Sequence, residues 1–486
     1  MNDDHRRIVA QAPTGAVFHF EPGVHRILVP IEPKDGQIFT SDGDAILTGA
    51  RVVSGILRRG ERFIALGQTQ RGQRYSTGEA APGAVRPGFP ETAFVDGQRL
   101  RPVAALKDLR PGTFYFDYET QTISFGEDVT ARKVEAGTSP AAFRSTARGV
   151  TISNLTIEQF SAPVQRGAIQ GGEAWTVEHT LIRNNFGVGV TVKGGSRLYR
   201  NAVCGNGQLG IGGNGADITV EANFLHRNGG WAGIDPLWEG GGAKFSKTNN
   251  LTLRYNLVTH NIGPGLWTDI DNVMTLYERN TVMDNLHAGI LHEISYAAVI
   301  QSNILLRNGA AHRDEDWLWG AQVQLQNSEG VVVKGNTIGM RDRRNGVALI
   351  QQDRGSGPGG AYRTVSNTVV ENVFIGDKDP GATGAIADHN EHGLLTGNNT
   401  FDRNVYYLPD GGHWWWGAES GDSFLAYQTA SGQDVRSHRL DRTFNADRLV
   451  DERNLTVGPK ALAAISPADL CNLSRSAILS SLARPR

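Results

Sequence analysis

Apolar and polar residues alternate along much of the chain, and one short strand-like pattern occurs three times near its centre. The copies are residues 242–246 (GAKFS), 265–269 (GLWTD) and 289–293 (GILHE), which start 23 and then 24 residues apart. A repeat of about 20 to 30 residues with one strand per copy is typical of solenoids, because a single coil cannot bury its apolar face without neighbours. The pattern therefore predicts a parallel β-solenoid.

Alternation on a strand sends successive side chains to opposite faces. With Ala243, Leu266 and Ile290 inside, the outward positions form two columns of stacked side chains. The predicted columns are Lys244, Trp267 and Leu291 in one, and Ser246, Asp269 and Glu293 in the other. The sequence thus predicts two carboxylates stacked on the outside of neighbouring coils.

Asparagine also recurs at intervals of one coil. One series is Asn201, Asn223, Asn256, Asn280, Asn303 and Asn336, and a second is Asn184, Asn206, Asn228, Asn261, Asn285 and Asn308. Stacked turns that carry amide side chains can hydrogen-bond up and down a solenoid. We interpret these asparagines as structural.

The pattern divides the chain into four predicted segments. Residues 1–55 read as a cap and first coils, 56–138 as an inserted small antiparallel β unit, 139–410 as the β-helix, and 411–486 as a C-terminal extension. The insertion is indicated by Asp96-Gly97, a dipeptide suited to a type I′ hairpin turn. The tail from about 459 is rich in Ala and Leu and predicts a short helix. The fold class is all-β.

Two steps of 33 residues carry about ten residues more than the usual coil. The extra residues, 229–239 and 309–319, flank the Asp269 and Glu293 coils and are unusually aromatic. Insertions in repeat proteins form loops, often on the binding face. They supply candidate substrate-binding residues, namely Trp231, Trp238, Glu239 and Trp317. Packing of these tryptophans against the solenoid is the alternative to sugar stacking.

Composition and charge exclude several classes of partner. The formal net charge is -2 and no Lys/Arg-rich run is present, so nucleic acid is not an expected partner. No stretch of 18 apolar residues occurs, and no apolar segment follows the N-terminus, so we expect a soluble chain, cytoplasmic or secreted after loss of a signal. The two cysteines lack metal-binding spacing, and we expect no metal and no cofactor.

The two stacked carboxylates are the main candidates for chemistry. Neighbouring strands lie about 4.8 Å apart, which matches the roughly 5 to 5.5 Å between the carboxyl groups of retaining glycosidases. Two close carboxylates repel, so the pKa of one rises and that group can serve as an acid. Asp271 is the rival of Asp269 on the same predicted face, and a merely solvated acidic face is the alternative to any site. We favour Asp269 with Glu293.

Other residues of the repeat are candidate substrate ligands. Trp267 and Lys244 stand in the neighbouring column, and Gln324 of residues 320–324 is predicted to extend the carboxylate column. His292 is a further candidate, although its inward position favours a core histidine. Lys244 is equally compatible with an exposed surface lysine.

The paired motifs at 265–270 and 289–294 are similar to those of the β-helical retaining β-xylosidases, and residues 20–24 and 42–50 resemble the opening of pectate-lyase-like β-helix proteins. The resemblance implies a right-handed parallel β-helix and an exo-acting retaining glycoside hydrolase of carbohydrate metabolism and polysaccharide degradation. It implies Asp269 as nucleophile and Glu293 as acid/base. The residues after Glu293 depart from the xylosidase pattern, so the sugar stays open. A polysaccharide lyase and a non-catalytic glycan-binding protein are the alternatives.

Overall fold

The computed structural model describes residues 4–312, 317–376, 379–409, 411–444 and 474–476. The fold is a right-handed parallel β-helix, as predicted. Its described residues group into two compact units. The first comprises the residues up to Val192 with Val203–Ile211 and Gly229–Gly240, and the second comprises Lys193–Ala202, Gly212–Asn228 and the residues from Gly241 onward.

The second unit contributes strands to three sheets, in which each coil adds one strand to each sheet. In the first sheet the strands are Arg197–Tyr199, Thr219–Glu221, Thr252–Arg254, Thr275–Glu278, Tyr296–Gln301, Glu329–Lys334, Thr368–Val370 and Thr400–Asp402. In the second sheet they are Phe224–His226, Leu257–Thr259, Thr281–Met283, Ile304–Leu306, Thr337–Gly339, Val373–Ile375, Val405–Tyr407 and His438–Leu440. In the third sheet they are Gly241–Asn249, Leu266–Asp269, Ile290–Glu293, Val323–Gln326, Val347–Gln351, Ala382–Ala387, His413–Trp416 and Glu419–Gly421. A small hairpin pairs Ser356–Gly357 with Gly360–Ala361.

The first unit has the same three-sheet arrangement and two further sheets. Its parallel strands are Val17–His19, Ile38–Thr40, Thr151–Ser153 and Thr176–Glu178; Gly23–Arg26, Ala45–Thr48, Leu155–Glu158 and Leu181–Arg183; and Phe143–Arg144, Gly167–Gln170 and Val188–Val192. The two further sheets consist of Leu57–Arg59, Arg62–Ala65, Arg101–Pro102, Thr113–Asp117 and Thr122–Phe125, and of Ala50–Val52, Ala93–Val95, Gln98–Arg99 and Val134–Gly137. Most of their pairings are antiparallel. Two strands, Ala202–Cys204 and Leu209–Ala216, have residues assigned to both units.

Helices are short and lie outside the coils' strands. The α-helices among the described residues are Asp4–Gln11, Pro236–Glu239, Glu391–Leu395 and Phe424–Ser431, and the 3-10 helices are Thr77–Glu79, Leu106–Asp108 and Ala310–His312. None of these helices is long and apolar enough to cross a membrane. The helix predicted from about 459 and the thiol of Cys471 lie outside the described residues, whereas Cys204 is a buried free thiol.

Ladders of asparagine side chains join successive coils, which confirms their predicted structural role. Asn280 donates from its amide to the Leu253 carbonyl oxygen at 2.8 Å and to Asn303 Oδ1 at 3.0 Å, and it accepts from Asn256. The second ladder begins one residue later than predicted, because Asn185 rather than Asn184 donates to its neighbour. Since buried polar groups are costly when unpaired, each ladder fixes the spacing of the coils.

The inward positions of the third sheet form the packed core of its coils. Leu266, Ile290, Val323 and Val347 stand in register in four successive strands and are fully buried. Burial of such stacked side chains contributes about 1.5 to 3 kcal/mol per residue. The same alternation directs the neighbouring side chains outward, so the core determines which residues reach the candidate site.

Candidate active site

The outer face of the third sheet carries the predicted pair of carboxylates. Asp269 and Glu293 are the last residues of their strands and face each other in parallel register, as predicted. Strands in a sheet lie about 4.8 Å apart, which sets the scale of the separation between the two acids. The two residues are only 8% and 6% exposed. A solvated acidic face, which was the alternative interpretation, does not describe this site.

Lys244 and Trp267 link the two acids. Lys244 Nζ lies 2.8 Å from Asp269 Oδ2 and 3.5 Å from the centre of the Trp267 ring. The indole Nε1 of Trp267 donates to Glu293 Oε2 at 3.1 Å. Lys244 is itself buried, so the alternative of an exposed surface lysine is wrong. These contacts hold both carboxylates in fixed orientations, each with a donor on one oxygen.

A loop of residues 352–363, here called the covering loop, contains the small hairpin and reaches the acid column. Arg354 of this loop contacts Glu293 Oε1 through Nη1. Tyr362 donates from its hydroxyl to Asp271 Oδ1 at 2.7 Å, and the backbone N–H of Gly359 donates to the Tyr296 hydroxyl at 3.2 Å. The covering loop therefore shields the acids from solvent and supplies a second cation.

Burial raises the pKa of Glu293, and the negative charge of Asp269 raises it further. Arg354 and Lys244 lower the pKa of Glu293, but their combined effect is the smaller one. A buried carboxyl with a like charge beside it is the arrangement that keeps an acid protonated near neutral pH. The two acids thus differ in environment, since Lys244 pairs directly with Asp269.

Within the described part of the chain, one of the two Asp269 oxygens is paired and the other is not. Its Oδ1 is buried and receives no hydrogen bond from any described residue, while Oδ2 is paired with Lys244. An unsatisfied buried carboxylate oxygen is costly, by roughly 1 to 3 kcal/mol or more, unless a ligand or water meets it. Oδ1 is therefore the Asp269 oxygen that is left without a bond within the described ranges.

The predicted alternation does not extend to Asp271. Ile270 and Asp271 have φ angles of 64° and 56°, so the chain turns after Asp269 and the strand ends there. Positive φ is uncommon for non-glycine residues and strained for a β-branched one, yet Ile294 after Glu293 also has a positive φ, of 36°. Asp271 consequently leaves the carboxylate column and pairs with Tyr362. The strand alternation on which its placement beside Asp269 rested therefore ends at Asp269, and Asp271 as the rival nucleophile stays a prediction.

His292, a predicted substrate ligand, lies inside the coil and not on the outer face of the sheet. His292 is fully buried inside the coil, with Nδ1 2.6 Å from Thr268 Oγ1 and Nε2 3.1 Å from the Tyr296 carbonyl oxygen. Burial lowers the pKa of His292 to about 4, so it is a neutral core histidine and does not face the acid column.

The carboxylate column continues through Gln326, because Glu293 pairs with Gln326 and Leu291 pairs with Gln324. The prediction that Gln324 extends this column was wrong by two residues, since the glycine at 320 lies in a turn with a φ of 68° and is not equivalent to Gly289. Gln324 remains close, and its Nε2 donates to Gln326 Oε1 at 3.2 Å.

The predicted loop tryptophans pack against protein. In the first unit, Trp231 donates to the Gly205 carbonyl oxygen at 2.8 Å and lies edge-on to Phe186, while the Arg99 guanidinium covers its ring. Trp238 packs against the same apolar cluster, and Glu239 ends the short helix at Pro236–Glu239. These contacts support the packing interpretation for the 229–239 insertion.

In the second unit, Trp317 stacks on Trp319 with ring centres 5.6 Å apart. Both rings pack against a cluster that contains Ala348 and Ile350 of the third sheet. These two residues stand one coil beyond Gln324 and Gln326. Trp317 therefore lies on the outer face of the sheet that carries the acids, and it remains a predicted substrate ligand.

Sequence reasoning missed Arg354, Tyr362 and Gln326. The asparagine ladder gives the signal that could have found the first two, because it continues from Asn336 to Asn372, a step of 36 residues. That step exceeds the usual coil by about 13 residues, close to the 12 residues of the covering loop. Within the described ranges, no group of three or more His, Cys, Asp or Glu side chains is arranged to hold a metal ion.

Comparisons with known proteins agree with this architecture. The sequence pattern of the family "right handed beta helix region" matches residues 167–338. A structure of XylC in complex with xylose is similar to this chain with a TM-score of 0.67 and 14% identity, over 90% of this chain and 82% of that one. These likenesses establish the fold.

More distant similarity is found to two mannuronan C-5 epimerase modules of Azotobacter vinelandii. The AlgE6 A-module gives a TM-score of 0.46 at 12% identity, over 91% of this chain and 93% of that one. The AlgE4 A-module gives 0.41 at 12% identity, over 84% and 89%. No curated protein sequence matches the chain.

Proposed function

We propose that the protein acts on carbohydrate as a retaining, exo-acting glycoside hydrolase, with Asp269 as nucleophile and Glu293 as acid/base. The observation that carries the proposal is the buried, in-register acid pair in which burial and the Asp269 charge raise the pKa of Glu293. Adjacent strands set a spacing near that of retaining enzymes, whereas inverting enzymes need about 6.5 to 9.5 Å to admit a water.

The first step breaks the glycosidic bond. Asp269 Oδ1 attacks the anomeric carbon and forms a glycosyl ester, while Glu293 gives its proton to the leaving oxygen, so an alcohol departs and Glu293 becomes a carboxylate. Lys244 holds Oδ2 of Asp269 through its Nζ, 2.8 Å away, and so orients the carboxylate. In the second step Glu293 takes a proton from water while the water oxygen attacks the anomeric carbon. The bond between that carbon and Asp269 breaks, and the sugar is released with its original anomeric configuration.

The contacts of Glu293 give the covering loop a part in this cycle. Oε1 meets Arg354 and Oε2 accepts from Trp267, so both oxygens of Glu293 face donors. Arg354 lies on the oxygen that would donate to the leaving group, so its guanidinium must move aside for the leaving group to approach Oε1. We therefore expect the covering loop to move when the substrate's leaving group reaches Glu293. A loop that closes over the acid pair also favours cleavage of the terminal sugar of a glycan.

The proposal is tested with a panel of chromogenic monosaccharide glycosides, xylosides included because of the sequence resemblance. Asp269→Asn is expected to abolish nearly all turnover. Glu293→Gln is expected to slow poor leaving groups most, to retain glycosylation by activated aryl glycosides, and to recover turnover when azide replaces the missing base. Normal hydrolysis in both variants would overturn the assignment.

A polysaccharide lyase is the second candidate, because Lys244, Arg354 and Tyr362 bring two cations and a phenol to the same site. Both cations are paired with carboxylates, however, and burial together with Asp271 raises the pKa of Tyr362, which makes that phenol a poor base. The product separates the two reactions. A hydrolase releases reducing sugar, whereas a lyase gives an unsaturated uronide that absorbs ultraviolet light. Glycan binding without either product would favour a binding protein.

A further inference from the structure

Arg99 lies in the first unit, at the end of the strand Gln98–Arg99 of the inserted β unit. The central carbon of its guanidinium is 4.1 Å from the centre of the Trp231 ring. Trp231 is itself held in place, because its indole donates to the Gly205 carbonyl oxygen at 2.8 Å and its ring meets Phe186 edge-on. The guanidinium therefore rests on an aromatic ring whose own position is fixed by the protein.

Arg99 differs from the other half-buried arginines of the first unit. Arg26, Arg86 and Arg183 each pair with a glutamate, and Arg51 donates to the side-chain oxygens of two glutamines. Arg99 is also half-buried, but it makes no hydrogen bond or ion pair with any residue that the structure describes. A cation that burial strips of water without supplying an acceptor is costly. Arg99 therefore lacks the counter-ion that its neighbours have.

The electrostatic surroundings of Arg99 favour an anion. Burial lowers the pKa of Arg99 to about 10, with a smaller contribution from the positive charge of Arg101. No acidic side chain within the described ranges lies close enough to offset these two effects. The guanidinium is still charged at neutral pH, and the exposed Arg101 adds a second positive charge two residues along the chain. The positive potential at this position is therefore uncompensated.

The guanidinium of Arg99 can be reached by a ligand. The residue is only half-buried, and each of its guanidinium nitrogens retains accessible surface. A guanidinium that lies over an aromatic ring makes that contact with its face, whereas its N–H donors point outward in its plane. These donors match two oxygens of a carboxylate or a sulfate. An oxyanion that meets them replaces the hydration that burial removed.

We propose that Arg99 binds the oxyanion group, a carboxylate or a sulfate, of an acidic saccharide, while Trp231 holds the guanidinium in place. The saccharide part of this proposal rests on the proposed action on carbohydrate, and the anionic part rests on the unpaired Arg99. The acid pair does not by itself specify whether the glycan is charged. Arg99 would make the protein prefer an acidic glycan to a neutral one.

The test follows the indole N–H signals of the full-length protein in proton–nitrogen correlation spectra. The Trp231 signal is identified by its loss in Trp231→Phe. Titrations with D-glucuronate, D-glucose 6-sulfate, D-glucose and inorganic sulfate compare the unaltered protein with Arg99→Gln and Arg99→Lys. Arg58→Gln is the matched control, because Arg58 is an exposed arginine of the same β unit that lies over the Phe63 ring. The first two sugars distinguish a carboxylate from a sulfate.

We expect at least one acidic sugar to shift the Trp231 signal saturably, and D-glucose to leave it unchanged. Arg99→Gln should weaken this binding about tenfold, because it removes hydrogen bonds from a charged donor. Arg99→Lys should weaken it less, since it keeps the charge and loses only the forked geometry, and it remains informative if Arg99→Gln does not fold. Arg58→Gln should have no effect.

Equal binding of an acidic sugar to Arg99→Gln and to the unaltered protein would overturn the proposal. An acidic sugar that binds no more tightly than D-glucose would overturn it as well, and so would binding of inorganic sulfate without binding of either acidic sugar. A failure of the proposed hydrolysis is seen separately, as a lack of turnover of the chromogenic glycosides, and it leaves these titrations unchanged.

Discussion

Arg354 offers the sharpest test of the electrostatics of the acid pair. Its guanidinium contacts Glu293 Oε1 and opposes the burial that raises the pKa of Glu293. Replacement by methionine keeps much of the side chain's apolar length and removes the charge. The pKa of Glu293 should therefore rise further in Arg354→Met.

The size of the shift follows from the geometry. An opposite charge within about 4 to 6 Å lowers the pKa of a carboxyl group by about 1 to 3 units. The Arg354 side chain is 32% exposed, so solvent screens part of its effect and the lower end of that range applies. We expect a rise of about one unit, which corresponds to about 1.4 kcal/mol.

The assay is the pH profile of kcat/KM on a glycoside with a poor leaving group. As general acid, Glu293 must be protonated in the free enzyme, so activity falls as pH rises through its pKa. Arg354→Met should move this basic limb upward by about one pH unit. Arg363→Met is the matched control, because Arg363 is an exposed residue of the same loop. A basic limb that stays in place in Arg354→Met, or moves downward, would refute the assignment of Glu293 as the acid.

Three further predictions concern the ladder, the loop and the core. Asn280→Ala should lower the free energy of unfolding by about 3 kcal/mol in chemical denaturation, because it leaves buried hydrogen-bond partners unpaired. The control Asn214→Ala loses an exposed hydrogen bond and should change the free energy of unfolding by under about 1 kcal/mol. Equal losses in the two variants would contradict the ladder's role. Tyr362→Phe should lower kcat/KM by about three- to tenfold through loss of its bond to Asp271, and an unchanged value would mean that this bond does not position the covering loop. The pKa of His292 is depressed to about 4, so its contribution to stability is full above the unfolded pKa of about 6.5 and is lost as pH falls toward 4. In His292→Leu the free energy of unfolding should therefore fall less steeply with decreasing pH, by about 1.4 kcal/mol per pH unit between pH 6.5 and 5. Identical slopes in the two proteins would contradict a neutral buried histidine.

Much of the fold and half of the acid site could be predicted because periodicity is a local property of the chain. The 23- and 24-residue steps set the register that places Asp269 against Glu293, and the alternation of each strand sets their outward direction. The same rule does not reach Asp271, because left-handed residues end the strand after Asp269, and it was wrong by two residues at Gln324.

The partners of the acids were harder to predict. Arg354 reaches Glu293 across 61 residues of sequence, from a loop that has no repeat of its own. Only the longer step in the asparagine ladder marks where that loop leaves the solenoid. Trp231 packs against Phe186 in the structure. The sequence alone does not distinguish an aromatic loop residue that covers a protein surface from one that stacks on a sugar.

The proposed mechanism requires Asp269 to form a covalent bond with the sugar. The most direct measurement incubates the protein with an activated 2-deoxy-2-fluoro analogue of the glycoside that it cleaves, followed by mass spectrometry of the intact protein and its peptides. We predict one added sugar per chain, on Asp269, and none in Asp269→Asn. A label on Asp271 would move the nucleophile, and hydrolysis of the parent glycoside with inversion and without any label would contradict the retaining mechanism.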